Sequence, residues 1–219
     1  MPAALFDIDG TLVTFKFDVK GTRKALIEEL SRSGLDTSGL DLSSPTQAIL
    51  DAARKQAVGG EAGVKYAALR KRLYSILDDF EVESSRQASV FPGTKRTLLH
   101  LQKSAVRLAV LTNSGRKAAY SVLKKGSILG CFDFVLTRED VDMMKPSPEG
   151  ILRAIARFSL PKKEVCYVGD GLLDIAAAKA AGLRVVSVAT GIYTADRLRA
   201  EGADLVFSSL LELPRVLGV

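Results

Sequence analysis

The chain has 219 residues, with 31 Lys and Arg against 25 Asp and Glu and a formal net charge of +6. Hydrophobic residues make up 47% and charged residues 26%, a composition that excludes wholesale disorder and indicates a folded globular protein. No apolar run approaches the ~18 residues of a membrane helix, and the first residues do not resemble a signal peptide. We therefore expect a cytoplasmic protein with no membrane partner, and its two cysteines exclude a disulfide framework.

The positive charge is scattered along the chain in short pairs such as Lys124-Lys125 and Lys162-Lys163, and there is no Trp. A nucleic-acid-binding face needs clustered basic residues interleaved with aromatic ones. The sequence therefore predicts a solvated, mildly cationic surface and no nucleic-acid partner.

The first element is a short apolar run, AALFDI (residues 3 to 8), which predicts a strand that ends before Gly10. From residue 16 to residue 89 the pattern is helical. Val19, Leu26 and Leu30 are predicted to share one helix face, and the apolar residues between Tyr66 and Phe80 recur at helical spacing. This segment shows no convincing strand, so we predict a helical insert.

After residue 93 the pattern alternates between strands and helices. Strands are predicted at RLAVLT, DFVLT, EVCYVG, RVVSVA and DLVFS, which begin at residues 107, 133, 164, 184 and 204. Such nearly continuous apolar strands form parallel sheets covered by helices on both faces. The predicted fold class is α/β: a Rossmann-like parallel-sheet core made of residues 1–15 and 90–219, interrupted by the α-helical domain 16–89.

Polar residues follow three of these strands, at the sheet edge where open parallel sheets bind ligands. They are Asp7, Asp9, Gly10 and Thr11 after the first strand, Thr112, Asn113, Ser114 and Gly115 after RLAVL, and Asp170 with, one helical turn later, Asp174 after EVCYVG. Read singly, DIDGT is a turn, Asp174 an ordinary first-turn carboxylate, and Lys145 in MMKPSPEG a surface lysine. Together the carboxylates concentrate negative charge that only protons or a cation would offset, and hard oxygen ligands favour Mg²⁺.

The motifs FDIDGT, LTNS, MKP and VGDGLLD resemble, in order and spacing, the four signature motifs of the haloacid dehalogenase superfamily. The resemblance covers the whole predicted core and extends to phosphatases of the phosphoglycolate phosphatase-like type. The stretch LVTFKFDVKG after DGT departs from the LVDS pattern common in phosphoglycolate phosphatases, which bears on the substrate and not on the chemistry. It implies a catalytic core of residues 1–15 and 90–219. It also implies that residues 16–89 are a helical cap.

The resemblance also implies roles for the strand-end residues. Asp7 matches the nucleophile that forms an aspartyl-phosphate, and Asp9 matches the general acid and base. Mg²⁺ would be bound by the carboxylates of Asp7 and Asp170 and the main-chain carbonyl of Asp9.

The remaining matched positions concern the phosphoryl group. Thr112, with the adjacent Asn113 amide, matches the group that orients it, and Gly10 lies in the same phosphate-binding set as Asp7. Lys145 matches the cation that balances the nucleophile and the phosphate oxygens. Asp174 matches a second acidic position that orients Lys145 or metal-bound water.

The predicted function is Mg²⁺-dependent hydrolysis of a small phosphorylated metabolite, with phosphoglycolate as the candidate. Asp9 favours an oxygen leaving group, since a halide leaves without a proton. A sugar phosphomutase is the alternative within the superfamily. A non-catalytic binding protein is the alternative outside enzymes, and it should have lost Asp7, Asp9, Lys145 or Asp170, all of which are present. We expect a monomer or a homodimer.

Overall fold

The computed structural model describes residues 3–14, 16–58 and 65–219. The strands of the described residues are β1 Ala3–Phe6, β2 Arg107–Leu111, β3 Phe134–Leu136, β4 Val165–Gly169, β5 Arg184–Val188 and β6 Leu205–Phe207. Their helices are α1 Val19–Arg32, α2 Thr46–Val58, α3 Tyr66–Gln87, α4 Thr94–Lys103, α5 Arg116–Lys125, α6 Glu149–Phe158, α7 Leu172–Ala181, α8 Ala195–Ala200 and α9 Leu213–Leu217.

The six strands form one sheet in the order β3-β2-β1-β4-β5-β6, and every pair is parallel. β1 lies at the centre, where Leu5 is in register with Ala109 on one side and Tyr167 on the other. All four β1 residues are buried, as expected of a parallel strand covered on both faces. The predicted α/β class and parallel sheet are confirmed. Along the chain, β2 and β3 are added on one side of β1, and β4, β5 and β6 on the other. Such a switch in strand order places a ligand crevice at the carboxyl ends of β1, β2 and β4.

Alternate side chains of the strands enter two hydrophobic clusters, one on each face of the sheet. Phe6 and Val110 belong to the first cluster, together with buried residues of α4, α5 and α9. Leu5 and Tyr167 belong to the second, together with buried residues of α6, α7 and α8. Each Å² of apolar surface that is buried stabilises the fold by ~25 cal/mol. Because apolar side chains are buried on both faces of the sheet, this free energy holds the strands in register. The strands therefore hold the residues at their carboxyl ends in fixed positions.

The chain divides into two compact units, residues 1–15 with 85–219 and residues 16–84. The sequence prediction placed this boundary five residues later, after residue 89. The helical pattern does not reveal this boundary between the units, because α3 continues past it to Gln87. The next residue, Ala88, already packs in the first sheet cluster.

The regular elements among the described residues of the second unit are all helices, and residues 33–45, between α1 and α2, form turns and loop. α1 and α2 bury apolar faces that include Leu26, Leu30, Ile49 and Ala53. Val19, predicted to share the face of Leu26 and Leu30, is instead 38% exposed in the first turn of α1; the buried position in that turn is Thr22. Among the described helices of both units, none combines the length and the apolarity needed to cross a membrane.

Candidate active site

The turn after β1 brings two carboxylates to the sheet edge. The Asp7 amide donates to the carbonyl of Val168, 2.9 Å away, which continues the ladder between β1 and β4 by one residue. Gly10 then adopts φ +82°, a left-handed conformation that favours glycine. A Cβ atom at Gly10 would also overlap the carboxylate of Asp170. The turn therefore needs glycine both for its conformation and for the approach of Asp170.

Lys145 lies between the carboxylates of β1 and α7. Its Nζ donates to Oδ1 of Asp7 at 2.8 Å and to Oδ1 of Asp174 at 2.6 Å. The Lys145 side chain is only 4% exposed. A buried ammonium is stabilised only by close partners of this kind. The lysine that the sequence offered as a possible surface residue is thus at the centre of the site.

Tyr167 is a member of this cluster that sequence analysis did not identify. Its hydroxyl lies 3.0 Å from Nζ of Lys145 and 3.0 Å from Oδ1 of Asp174. The residue is in β4 and was counted only as part of an apolar strand. The available signal was chemical, since a tyrosine buried in an otherwise aliphatic strand needs a partner for its hydroxyl.

Asp174 is fixed by the beginning of α7. Its Oδ2 accepts the Gly171 amide at 2.9 Å, so that the side chain caps the helix while Oδ1 faces Lys145 and Tyr167. A carboxylate at this position also interacts favourably with the positive end of the helix dipole. Asp174 is therefore held by interactions on both of its oxygens.

Asp170 follows β4 and is held from two sides. The Thr11 hydroxyl donates to its Oδ1 at 2.7 Å. On the other side, the loop after β5 approaches so closely that a Cβ at Gly191 would overlap Oδ2 of Asp170. That loop is anchored by Thr190, whose hydroxyl donates to the Gly10 carbonyl at 2.6 Å. Thr190 and Gly191 were not predicted as site residues, because the contact between the β1 and β5 loops appears only in the folded chain. Thr11 was identified at the strand end, but no role was assigned to it.

The loop after β2 contributes Thr112, Asn113 and Ser114. The Ser114 hydroxyl donates to Oδ2 of Asp9 at 2.5 Å, and the Ser114 amide donates to Oγ1 of Thr112 at 3.1 Å. The Asn113 side chain exchanges two hydrogen bonds with the Lys145 backbone, at 3.0 and 2.9 Å. This loop therefore orients Asp9 and fixes the segment that carries Lys145.

The electrostatics of the site follow from burial. Burial raises the pKa of Asp7 well above its usual value, although Lys145 opposes the shift. Burial, with the charge of Asp174, raises the pKa of Asp170 to about 7. Burial also raises the pKa of Asp9, against the hydrogen bond from Ser114. Burial would by itself lower the pKa of Lys145, but Asp174 and Asp7 outweigh it and hold that pKa well above its usual value.

The donor set fits a hard divalent cation. Asp7, Asp170 and Asp174 each offer a carboxylate oxygen, and these three atoms lie within 4.8 Å of one another. Together with the Lys145 ammonium the ionised carboxylates carry two net negative charges, which one divalent cation would offset. Both Asp174 oxygens accept hydrogen bonds, whereas the hydrogen bonds recorded for Asp7 and Asp170 fall on Oδ1 of each. Carboxylate oxygen ligands match Mg²⁺.

The structure thus brings all the predicted strand-end residues to one edge of the sheet. Asp7, Lys145 and Asp174 are in direct contact, and Asp9 is linked to the loop that carries Thr112. Gly10 lies against Asp170. Asn113 is held through its side chain to the Lys145 backbone.

Comparison with known proteins follows the same order of motifs. The haloacid dehalogenase-like hydrolase family matches residues 4–188. A phosphoglycolate phosphatase from Cereibacter sphaeroides is 31% identical over 99% of this chain and 98% of its own length. One from Pseudomonas putida is 27% identical over 95% of this chain and 77% of its own.

A solved structure of a hydrolase from Pseudomonas syringae superposes with a TM-score of 0.70, covering 100% of this chain and 98% of that one. At 24% identity this likeness concerns the fold alone. The resemblance identified from the four motifs is confirmed.

Proposed function

The chain belongs to the haloacid dehalogenase-like hydrolase family, and from this premise we propose that it hydrolyses a small phosphate monoester through an aspartyl-phosphate on Asp7. It is a hydrolase of the phosphatase type, acting on phosphoric monoesters. The observation that carries the proposal is the 2.8 Å pair between Lys145 Nζ and Asp7 Oδ1 at the carboxyl end of β1. A carboxylate that attacks an anionic phosphate needs a cation beside it.

Asp7 and Asp170 are the residues that would hold Mg²⁺, with the main-chain carbonyl of Asp9. When bound, the ion would reduce the repulsion between the nucleophile and the phosphate dianion and would neutralise charge on the phosphate oxygens. The support from this chain is the close carboxylate group and the absence of room for a side chain at Gly10 and Gly191 beside Asp170. Phosphoryl transfer depends mainly on such positioning and charge neutralisation.

In the first step, an oxygen of Asp7 forms a bond to phosphorus while the bond from phosphorus to the alcohol oxygen breaks. Asp9 gives its proton to that departing oxygen. Lys145 stays beside Asp7 and offsets the charge of the reacting groups, and Thr112 with the Asn113 amide orients the phosphoryl oxygens.

In the second step, water attacks the same phosphorus and Asp9 accepts a proton from it. The bond between Asp7 and phosphorus breaks, inorganic phosphate leaves, and the Asp7 carboxylate is regenerated. The raised pKa of Asp9 suits a group that must hold the proton in one step and accept it in the next.

Phosphoglycolate is the proposed substrate. The proposal draws on the curated relatives, which are phosphoglycolate phosphatases similar over nearly the whole chain. The helical unit of residues 16–84 is proposed as the cap of the family, which would favour small metabolites over folded phosphoproteins.

The test is turnover of p-nitrophenyl phosphate and of a panel of phosphoglycolate, sugar phosphates and nucleotides with Mg²⁺. We expect phosphate release, with the highest kcat/KM for phosphoglycolate. Asp7→Asn should lower kcat by roughly 10⁴-fold or more, with an unchanged circular dichroism spectrum. Asp196→Asn, which alters the exposed partner of Arg199 in α8, is the matched control. Retained activity in Asp7→Asn would remove Asp7 as nucleophile, and a low rank for phosphoglycolate would remove that substrate.

A further inference from the structure

The ammonium group of Lys145 has as many side-chain acceptors as it has N–H donors. Three side-chain oxygens lie within 3.0 Å of Nζ: Oδ1 of Asp7 at 2.8 Å, Oδ1 of Asp174 at 2.6 Å and the Tyr167 hydroxyl at 3.0 Å. A lysine ammonium donates three hydrogen bonds and accepts none. A backbone acceptor, the Leu111 carbonyl, lies farther away at 3.5 Å. The rotation of the group about its last bond is therefore fixed mainly by the three side-chain partners, of which only Asp7 is the proposed nucleophile.

The Tyr167 hydroxyl is itself fixed on both sides. It accepts from Lys145 and lies 3.0 Å from Oδ1 of Asp174 and 3.3 Å from the carbonyl of Leu111, to either of which it can donate. Its ring is fully buried in the second sheet cluster, on the strand that pairs with β1. The oxygen is thus held by the sheet itself, whereas the acceptor on Asp174 is held by the beginning of α7.

We propose that Tyr167 is a positioning residue for phosphoryl transfer: together with Asp174 it orients the Lys145 ammonium so that its third N–H points at Asp7. The inference rests on the proposed function, since it assigns a role to a residue that contacts Lys145, the partner of the proposed nucleophile Asp7. Tyr167 does not touch the phosphate. It acts through Lys145.

The geometry makes the effect of removing the hydroxyl specific. In Tyr167→Phe the ring remains in the second sheet cluster, so the packing of β4 against α7 is retained. One N–H of the buried ammonium loses its acceptor at 3.0 Å. Only the Leu111 carbonyl, 3.5 Å from Nζ, remains nearby in its place, so the group gains the freedom to turn away from Asp7. Loss of such outer partners typically costs about 10- to 100-fold in activity. Because substrate binding does not use the phenol, the loss should fall on kcat and leave KM within about twofold.

The experiment compares wild type, Tyr167→Phe and Tyr120→Phe with p-nitrophenyl phosphate and Mg²⁺ at a temperature well below each Tm. Tyr120, on α5, packs at the edge of the first sheet cluster and undergoes the same chemical change. We expect kcat to fall roughly tenfold or more in Tyr167→Phe, and to stay at the wild-type value in Tyr120→Phe. An unchanged kcat in Tyr167→Phe, or a loss confined to KM, would overturn the proposal.

A second measurement does not depend on turnover. In protein labelled with ¹⁵N-lysine, the NH₃⁺ signal of Lys145, assigned by its disappearance in Lys145→Met, should exchange slowly in the wild type. In Tyr167→Phe that exchange should quicken by roughly tenfold or more, since one donor is released. An unchanged exchange rate would mean that Tyr167 only fills space. If wild type has no phosphatase activity, the proposed function fails by itself, and this signal still decides whether Tyr167 holds Lys145.

Discussion

The hydroxyl of Ser114 donates to Oδ2 of Asp9 over 2.5 Å, and so joins the loop after β2 to the loop after β1. This bond also opposes the effect of burial on the pKa of Asp9. Asp9 is the proposed proton donor to the leaving oxygen, so the bond sets both the orientation and the acidity of the Asp9 carboxyl group.

Replacing Ser114 with Ala should therefore lower kcat and move the pH profile. Without the hydrogen bond the pKa of Asp9 rises, so Asp9 remains protonated to a higher pH. The descending limb of kcat/KM, which reports loss of that proton, should shift to higher pH. Because Asp9 itself remains, kcat should fall by only about tenfold, less than the roughly 10²- to 10⁴-fold that general acid–base catalysis contributes. Ser208→Ala, which removes an exposed hydroxyl bonded to Glu212, is the control. A profile unmoved by Ser114→Ala would show that Ser114 does not set the acidity of Asp9.

Metal binding should be weakened by acid. The pKa of Asp170, raised by burial to about 7, means that its proton competes with Mg²⁺ below that pH. The apparent Kd should rise by up to tenfold for each pH unit below 7. Calorimetric titration of Mg²⁺ at pH 8, 7 and 6 measures this directly, and an affinity independent of pH would contradict the assignment of Asp170 as a ligand.

The same carboxylate makes the metal-free protein more stable in mild acid. The folded state binds the Asp170 proton more tightly than the unfolded chain does, so its contribution to the free energy of unfolding falls as pH rises from about 4 to about 7. Saturating Mg²⁺ should therefore raise Tm most above pH 7, by about 5 °C or more at a hundredfold excess over Kd. Asp170→Asn should abolish this rise, and chelation with EDTA should reverse it in the wild type.

A substitution at Gly191 tests whether the loop after β5 fixes the position of Asp170. Gly191→Ala would place a methyl group against Oδ2 of Asp170, while Thr190 holds the loop to Gly10. We expect the Mg²⁺ affinity to fall about tenfold, as when an outer partner of a metal ligand is disturbed. At Gly130 an added Cβ meets no atom within 4 Å, so Gly130→Ala is the control. Equal metal affinities in the two variants would show that the loop yields without moving Asp170.

The sequence was most informative where a polar residue follows an apolar run at the end of a strand. Asp7, Asp9, Thr112 and Asp170 each interrupt an apolar run, and parallel topology alone brings such positions to one edge. Tyr167 gave no comparable interruption, because a tyrosine is compatible with a buried strand. The contact of Thr190 and Gly191 with the β1 loop joins residues about 180 positions apart, which no local pattern encodes. The predicted boundary after residue 89 differs from the division after residue 84, because the helical pattern of α3 continues without a break across that point.

Lys145 links the chemistry of the site to the stability of the core. Its raised pKa keeps it charged, and its contribution to stability present, across the whole range from pH 5 to pH 9. Lys145→Met would leave the buried carboxylates of Asp7 and Asp174 without their cation. In the metal-free protein we expect a loss of about 3–5 kcal/mol in the free energy of unfolding at pH 8, measured with urea.

This loss should shrink as the pH falls towards 5, because burial already raises the pKa of Asp7 and its protonation removes one of the unpaired charges. Adding Asp174→Asn to Lys145→Met should restore part of the stability at pH 8 for the same reason. Lys124→Met, at an exposed position of α5, should leave stability within about 0.5 kcal/mol of the wild type. A loss in Lys145→Met that is equal at both pH values and is not relieved by Asp174→Asn would mean that packing of the lysine chain, and not its charge, stabilises the site.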